Sequence, residues 1–221
     1  MKYIRLFLCA IFGCLLISKL ITRPFFLKKI HRFERLSKFK KDEKKIGAIL
    51  LVGDSQIELF DSSKIKTESP VINHGISSET THGLKKRIGV EIKSSPKSIF
   101  IQIGINDLSN QVEISEIIYN YKEILKAVKS NKLIENCFVI SLYPIGESRN
   151  MDKNYIDIFN EKLKLNCEQM SCNYIDVFQH LVNQKGYLDD QFSNDGLHLN
   201  EEGQNILADS INNVLKHIIR I

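Results

Sequence analysis

Glycine and proline are scarce, at 11 and 4 of 221 residues, which excludes a collagen-like or proline-rich chain. No segment recurs at a fixed period, and this argues against a solenoid or a propeller. No Cys-x-x-Cys pair is present to build a zinc site. Cys137, Cys167 and Cys172 are an odd set in the body of the chain and cannot complete a disulfide framework. P-loop and Rossmann fingerprints are missing. Gly-x-Ser-x-Gly is missing too, so the α/β-hydrolase elbow is absent. Ser-x-x-Lys occurs at Ser37–Lys40, Ser63–Lys66 and Ser94–Lys97, but without an accompanying Ser-Asp-Asn or Lys-Thr-Gly. What remains is an ordinary folding composition, 43% apolar and 26% charged, which rules out wholesale disorder. The length suits one globular domain plus an appendage.

The net charge of +5 is unevenly spread. Thirteen of the 31 Lys and Arg, but only three of the 26 acids, fall in the first 45 residues, so that segment carries +10 and the remainder −5. A pI near 8.8 therefore does not describe the folded body, and nucleic acid is not the expected partner. The positive charge adjoins an apolar run, Ile4–Ile21, broken only by Arg5, Ser18 and Lys19. As a helix that run is about 27 Å long, barely enough to span a bilayer. A cleaved signal peptide would begin in the same way. No small-x-small site follows Ser18, however, and this favours an uncleaved anchor. Phe25, Phe26, Leu27, Ile30, Phe33, Leu36 and Phe39 then recur at helical spacing among Lys and Arg. That pattern suits either a helix lying at a membrane surface or a solvated linker helix. The expected organisation is an anchor or signal segment over 1–22, a basic stem over 23–45 and a folded domain over 46–221. The expected location is membrane-anchored with the folded domain outside the cytoplasm.

From Ile46 short apolar runs alternate with longer amphipathic stretches. Gly47–Val52, Pro70–Asn73, Ser98–Ile103, Cys137–Leu142 and Asn173–Val177 read as five strands. Val112–Lys129, Tyr155–Met170 and Glu201–Ile219 read as helices between and after them. Alternation of this kind implies βαβ units, a parallel sheet and a three-layer α/β/α sandwich. In such sheets the loops leaving the carboxyl ends of the strands build the site. Four singular clusters fall there or in the final loop: Gly53-Asp54-Ser55, His74-Gly75, Gly104-Ile105-Asn106-Asp107 and Asp195-Gly196-Leu197-His198.

Each cluster alone reads as a turn or a cap. Together they supply a hydroxyl nucleophile in Ser55, a base in His198, a carboxylate in Asp195 to orient that base, and donors for an oxyanion. The donors are the Ser55 N–H at a helix start, the Gly75 N–H and the Asn106 amide. His74 is placed to border the pocket. Cys137 reads as a small buried hydrophobe.

These blocks resemble the SGNH, or GDSL-type, hydrolases. They are LLVGDSQIELF, INHGISSETTHGLKKRI, IFIQIGINDL and FSNDGLHLNEEGQNILADSI, together covering about residues 46–219. The second and last blocks look most like the branch near platelet-activating-factor acetylhydrolase and bacterial carbohydrate acetylesterases. One departure is Gln56, where many members carry Leu or Ile. The resemblance implies a five-stranded parallel, flavodoxin-like sheet. It also implies a Ser55–His198–Asp195 triad with an oxyanion hole of Ser55, Gly75 and Asn106. The implied activity is hydrolysis of short-chain, foremost acetyl, esters of a carbohydrate or lipid. The partners are then a small-molecule or glycan ester and a membrane, with no metal or cofactor. Two alternatives stay open: an O-acyltransferase with the same triad, and an inactive glycan- or lipid-binding module on this scaffold.

Overall fold

Continuous apolar strands must bury both faces, and the residues divide accordingly. In the computed structural model of the protein, residues 26–42, 47–149 and 151–219 are described. The expected anchor and Cys9 and Cys14 lie outside them. The chain divides into two compact units, Met1–Lys40 and Lys41–Ile221. In the first, residues 26–39 form a helix, α1. Among the described residues no helix is long and apolar enough to cross a membrane.

The second unit holds five parallel strands in the order β2-β1-β3-β4-β5: β1 Ile49–Gly53, β2 Val71–Gly75, β3 Ser98–Gln102, β4 Asn136–Ile140 and β5 Asn173–Ile175. The helices are α2 Ser55–Glu58, α3 Thr81–Glu91, α4 Ile105–Ser109, α5 Ile114–Ser130, α6 Asn154–Gln169, α7 Phe178–Leu181 and α8 Glu201–Ile219. The period of two along each strand sorts the side chains. Leu50, Val52, Ile99, Ile101 and Val139 join Leu84 and Ile88 of α3, Tyr121 and Ile124 of α5, and Phe159 and Leu163 of α6 in one core. Ile49, Leu51, Phe100, Phe138 and Ile140 join Ile57 of α2, Leu181 of α7, and Leu207 and Ile211 of α8 in the other. Phe100 and Phe138 stack on that face with ring centroids 4.6 Å apart. The expected three layers are present.

All five strands are where expected, with bounds shifted by one or two residues, and in β2 the shift matters. β2 does not end at Asn73 but runs on through His74 and Gly75, which pair with Val52 and Gly53 of β1. Pro70, which has no N–H, stands just outside and accepts only from Ile49 N. Cys137, Cys167 and Cys172 are buried free thiols.

Strand order reverses between β1 and β3, which makes that crevice the expected place for a ligand. Beneath it, the fully buried Tyr121 hydroxyl donates to Ile103 O at 2.7 Å and accepts from Ile103 N at 3.1 Å, closing the end of β3. Tyr121→Phe leaves both backbone groups buried and unpaired. It is expected to cost about 1–3 kcal/mol in urea unfolding, with little change in the slope of the transition.

Candidate active site

Asp54 ends the β1 turn and caps α2, its Oδ1 accepting Gln56 N at 3.0 Å. Ser55 is thereby the first residue of α2, where its N–H has no helical partner. The serine hydroxyl lies 3.0 Å from His198 Nε2, and His198 Nδ1 lies 2.8 Å from Asp195 Oδ2. Ser55 and His198 are 143 positions apart in the chain, so the fold brings the pair together.

The turn that carries Asp195 and His198 is tied internally. Asp195 Oδ1 accepts Leu197 N and His198 N, both at 2.8 Å. Ser193 Oγ accepts Gly196 N at 2.9 Å and donates to His198 O at 2.7 Å. Burial alone would raise the Asp195 carboxyl, but the His198 side chain and the backbone N–H groups of His198 and Leu197 outweigh it. They hold the group well below the usual carboxylate range, so it stays ionised at neutral pH.

Two residues that sequence reasoning did not place in the site hold this turn from outside. Gln56, the departure from the family pattern, is buried and donates from Nε2 to Leu197 O at 2.6 Å. Arg149 donates from Nε and Nη2 to Asp195 O at 2.9 and 2.5 Å, with Nη2 3.6 Å from Asp195 Oδ2. The Arg149 loop comes this close because Gly146 faces Gly196. Gly146 N donates to Gly196 O at 2.8 Å, and a Cβ on Gly146 would fall 2.7 Å from Gly196 Cα. The polar side chain directly after the nucleophile was the available signal for Gln56. Arg149 had none.

The oxyanion donors are less uniform than expected. None of the described residues accepts the Ser55 N–H. Asn106 Nδ2 donates one hydrogen to Glu79 O at 3.0 Å, which orients the amide and leaves its second hydrogen. Gly75 N donates to Asn73 Oδ1 at 3.0 Å, so an oxyanion could use it only by sharing or displacing that bond. Glycine is required there by packing, because a Cβ would lie 2.2 Å from Glu58 N of α2.

His74, expected to border the pocket, is buried, with Nδ1 bonded to Glu91 and Nε2 3.4 Å from Asp42 Oδ2. Arg87 joins the same buried group. It bonds Glu79 Oε2 through Nε at 2.5 Å and Glu91 Oε1 through Nη1 at 2.8 Å, and it donates to His74 O at 2.9 Å. Asp107, next to Asn106, accepts Thr81 N and Thr81 Oγ1 at 2.9 and 2.6 Å, fixing α4 to the start of α3. A cavity of about 660 Å³ opens beside α4, lined by Leu108, Val112, Met151 and Tyr155 among others but by no member of the Ser–His–Asp set.

Comparison with known proteins gives the family and the fold. The model of the GDSL-like lipase/acylhydrolase family matches residues 62–206, a span that begins beyond Ser55. A Streptococcus pneumonia protein described as a platelet activating factor shares the fold, with a TM-score of 0.79 and 22% identity over 90% of this chain and 99% of that one. Axe2, an acetylxylan esterase from Geobacillus stearothermophilus, superposes with a TM-score of 0.61 and 21% identity, covering 75% of this chain and 94% of that one. An N-acylneuraminate cytidylyltransferase of Escherichia coli is 22% identical over 185 residues, which is 82% of this chain but 43% of the relative. The chain thus spans less than half the length of that curated relative.

Next to Ser55, the Asp54 carboxyl is fully buried with Oδ2 unpaired, and burial pushes its pKa up to about 7. The folded state therefore keeps a proton between pH 4 and 7 that the unfolded chain releases near 3.8. Stability contributed by that proton is present below the lower value and is lost as pH rises through the upper one. Asp54→Asn keeps the cap acceptor and removes the titration. Urea unfolding at pH 5 and pH 8 should show a smaller fall for the variant than for the wild type, the difference being at most about 3 kcal/mol. Equal falls would place the Asp54 titration elsewhere.

Proposed function

Because the chain belongs to the GDSL-like lipase/acylhydrolase family, we propose that it is a serine esterase removing short acyl groups, acetyl foremost, from a carbohydrate. The observation that carries this reading is the unbroken Ser55–His198–Asp195 hydrogen-bond chain of 3.0 and 2.8 Å at the switch point of the sheet. The acetylxylan esterase that shares its fold supports an acylated sugar as substrate, as does the partial match to an enzyme named for an N-acylneuraminate.

In this reading Ser55 Oγ attacks the ester carbonyl as its proton passes to His198 Nε2. Asp195 holds Nδ1–H and stabilises the imidazolium. The oxygen of the tetrahedral intermediate gathers charge and is met by the Ser55 N–H and the free hydrogen of Asn106 Nδ2, with the Gly75 N–H released from Asn73. Collapse breaks the bond to the alcohol oxygen, which takes the proton back from Nε2. A water then gives a proton to Nε2 and attacks the acyl-serine. The acid leaves, and Ser55 regains its hydrogen.

Nitrophenyl esters of increasing chain length test the acyl preference. Acetylated xylo-oligosaccharide and O-acetylated N-acylneuraminate test the alcohol. Product analysis with and without an unacylated sugar separates hydrolysis from transfer. Acceptance of only long-chain nitrophenyl esters would sink the short-acyl reading.

Two variants test the roles. Ser55→Ala is expected to retain less than about a thousandth of wild-type kcat while unfolding at an unchanged urea midpoint. Asn106→Ala is expected to lower kcat about 10²–10³-fold with little change in KM. A rise in KM at constant kcat would make Asn106 a substrate-binding group instead.

A further inference from the structure

Helix α1 exposes large apolar side chains that a water-facing helix would bury. Phe26, Leu27, Ile30 and Phe33 are 63%, 54%, 39% and 72% exposed. At 3.6 residues per turn, Phe26, Ile30 and Phe33 lie within about 60° of one another and Leu27 lies beside them, so they form one stripe. Exposed Lys29 and Lys38 flank the stripe on its two sides. Residues 26–40 carry Lys28, Lys29, Arg32, Arg35, Lys38 and Lys40 against a single acid, Glu34. A contiguous apolar patch rimmed by cations marks an interaction surface. The helix is too short and too charged to span a bilayer, but aromatic residues on one side and cations at its borders suit the plane between headgroups and acyl chains.

We propose that α1 lies in the headgroup layer of an anionic lipid bilayer, with Phe26, Ile30 and Phe33 turned toward the acyl chains. Two observations select lipid over other occupants. The flanking cations match anionic headgroups, whereas a second copy of the chain would bring two such basic sets together. The apolar run Ile4–Ile21 also ends only a few residues upstream, which delivers α1 to the same surface.

The chain contains no tryptophan, so Phe33→Trp installs a single fluorophore on the stripe and Lys28→Trp installs one on the opposite side. The full-length variants are placed with vesicles of phosphatidylcholine and phosphatidylglycerol, part of the lipid brominated near the headgroup end of its chains. Nitrophenyl acetate hydrolysis checks that the catalytic unit is intact. Phe33→Trp is expected to emit to the blue and to lose most of its emission to the brominated lipid, while Lys28→Trp stays red-shifted and loses little. In vesicles of phosphatidylcholine alone the quenching of Phe33→Trp is expected to weaken. Red, unquenched emission from Phe33→Trp in protein that floats with the vesicles would overturn the proposal. So would blue emission in buffer without lipid that grows with protein concentration, which would assign the stripe to a second copy.

Discussion

A buried guanidinium holds the business end of the sheet together. Arg87 is almost completely covered, and a charge in that position is tolerated only if it is paired and its donors are used. Its partners are two buried carboxylates, Glu79 and Glu91, and the carbonyl of His74. Each belongs to a different segment that feeds the site. His74 precedes Gly75 in β2. Glu91 closes α3 and holds the His74 ring. Glu79 presents its carbonyl to Asn106. One side chain of α3 thereby ties together β2, the loop after it and, through the Glu79 carbonyl, the Asn106 amide. Removing either carboxylate would strand the guanidinium, so the group stands or falls together.

Hydrophobic sorting supplies the larger frame. Alternate residues of β1, β3 and β4 enter two separate cores, and this forces helices onto both faces and the connecting loops to the carboxyl ends. The reversal of strand order between β1 and β3 opens a gap at that end. Ser55, the first residue of α2 after β1, and Asn106, the second residue of α4 after β3, sit on its two sides. The candidate site therefore stands where the chain has a spare N–H group at the start of α2.

The strands and the three longest helices were legible because their periodicity is strong. Five apolar runs gave five strands, and the stripe from Ile117 to Val128 gave α5. Helix α3 was far less visible. Thr81–Glu91 includes two glycines and the run Lys85-Lys86-Arg87, and two of its buried residues are the charged Arg87 and Glu91, so its inward face does not read as apolar. His74 was misread for the same reason: a histidine beside a glycine at a strand end gives no sign of a carboxylate seventeen positions away. Ser55, Asp195 and His198 were legible because their residue types and blocks are specific, and the fold sets them in line. The supports of the turn were not. Gln56 acts on a carbonyl 141 positions distant, and Arg149 lies in a loop without a motif, so only the folded chain reveals either contact.

Those supports matter because the site is open. The side chains of Asp195 and His198 are 46% and 31% exposed, so water screens their attraction and burial does little to align them. Alignment comes instead from hydrogen bonds that leave the turn few alternatives: two backbone N–H groups on Asp195 Oδ1, Ser193 inside the turn, Gln56 from α2 and Arg149 from the far loop. A turn held in this way keeps the imidazole of His198 directed at Ser55 without help from burial.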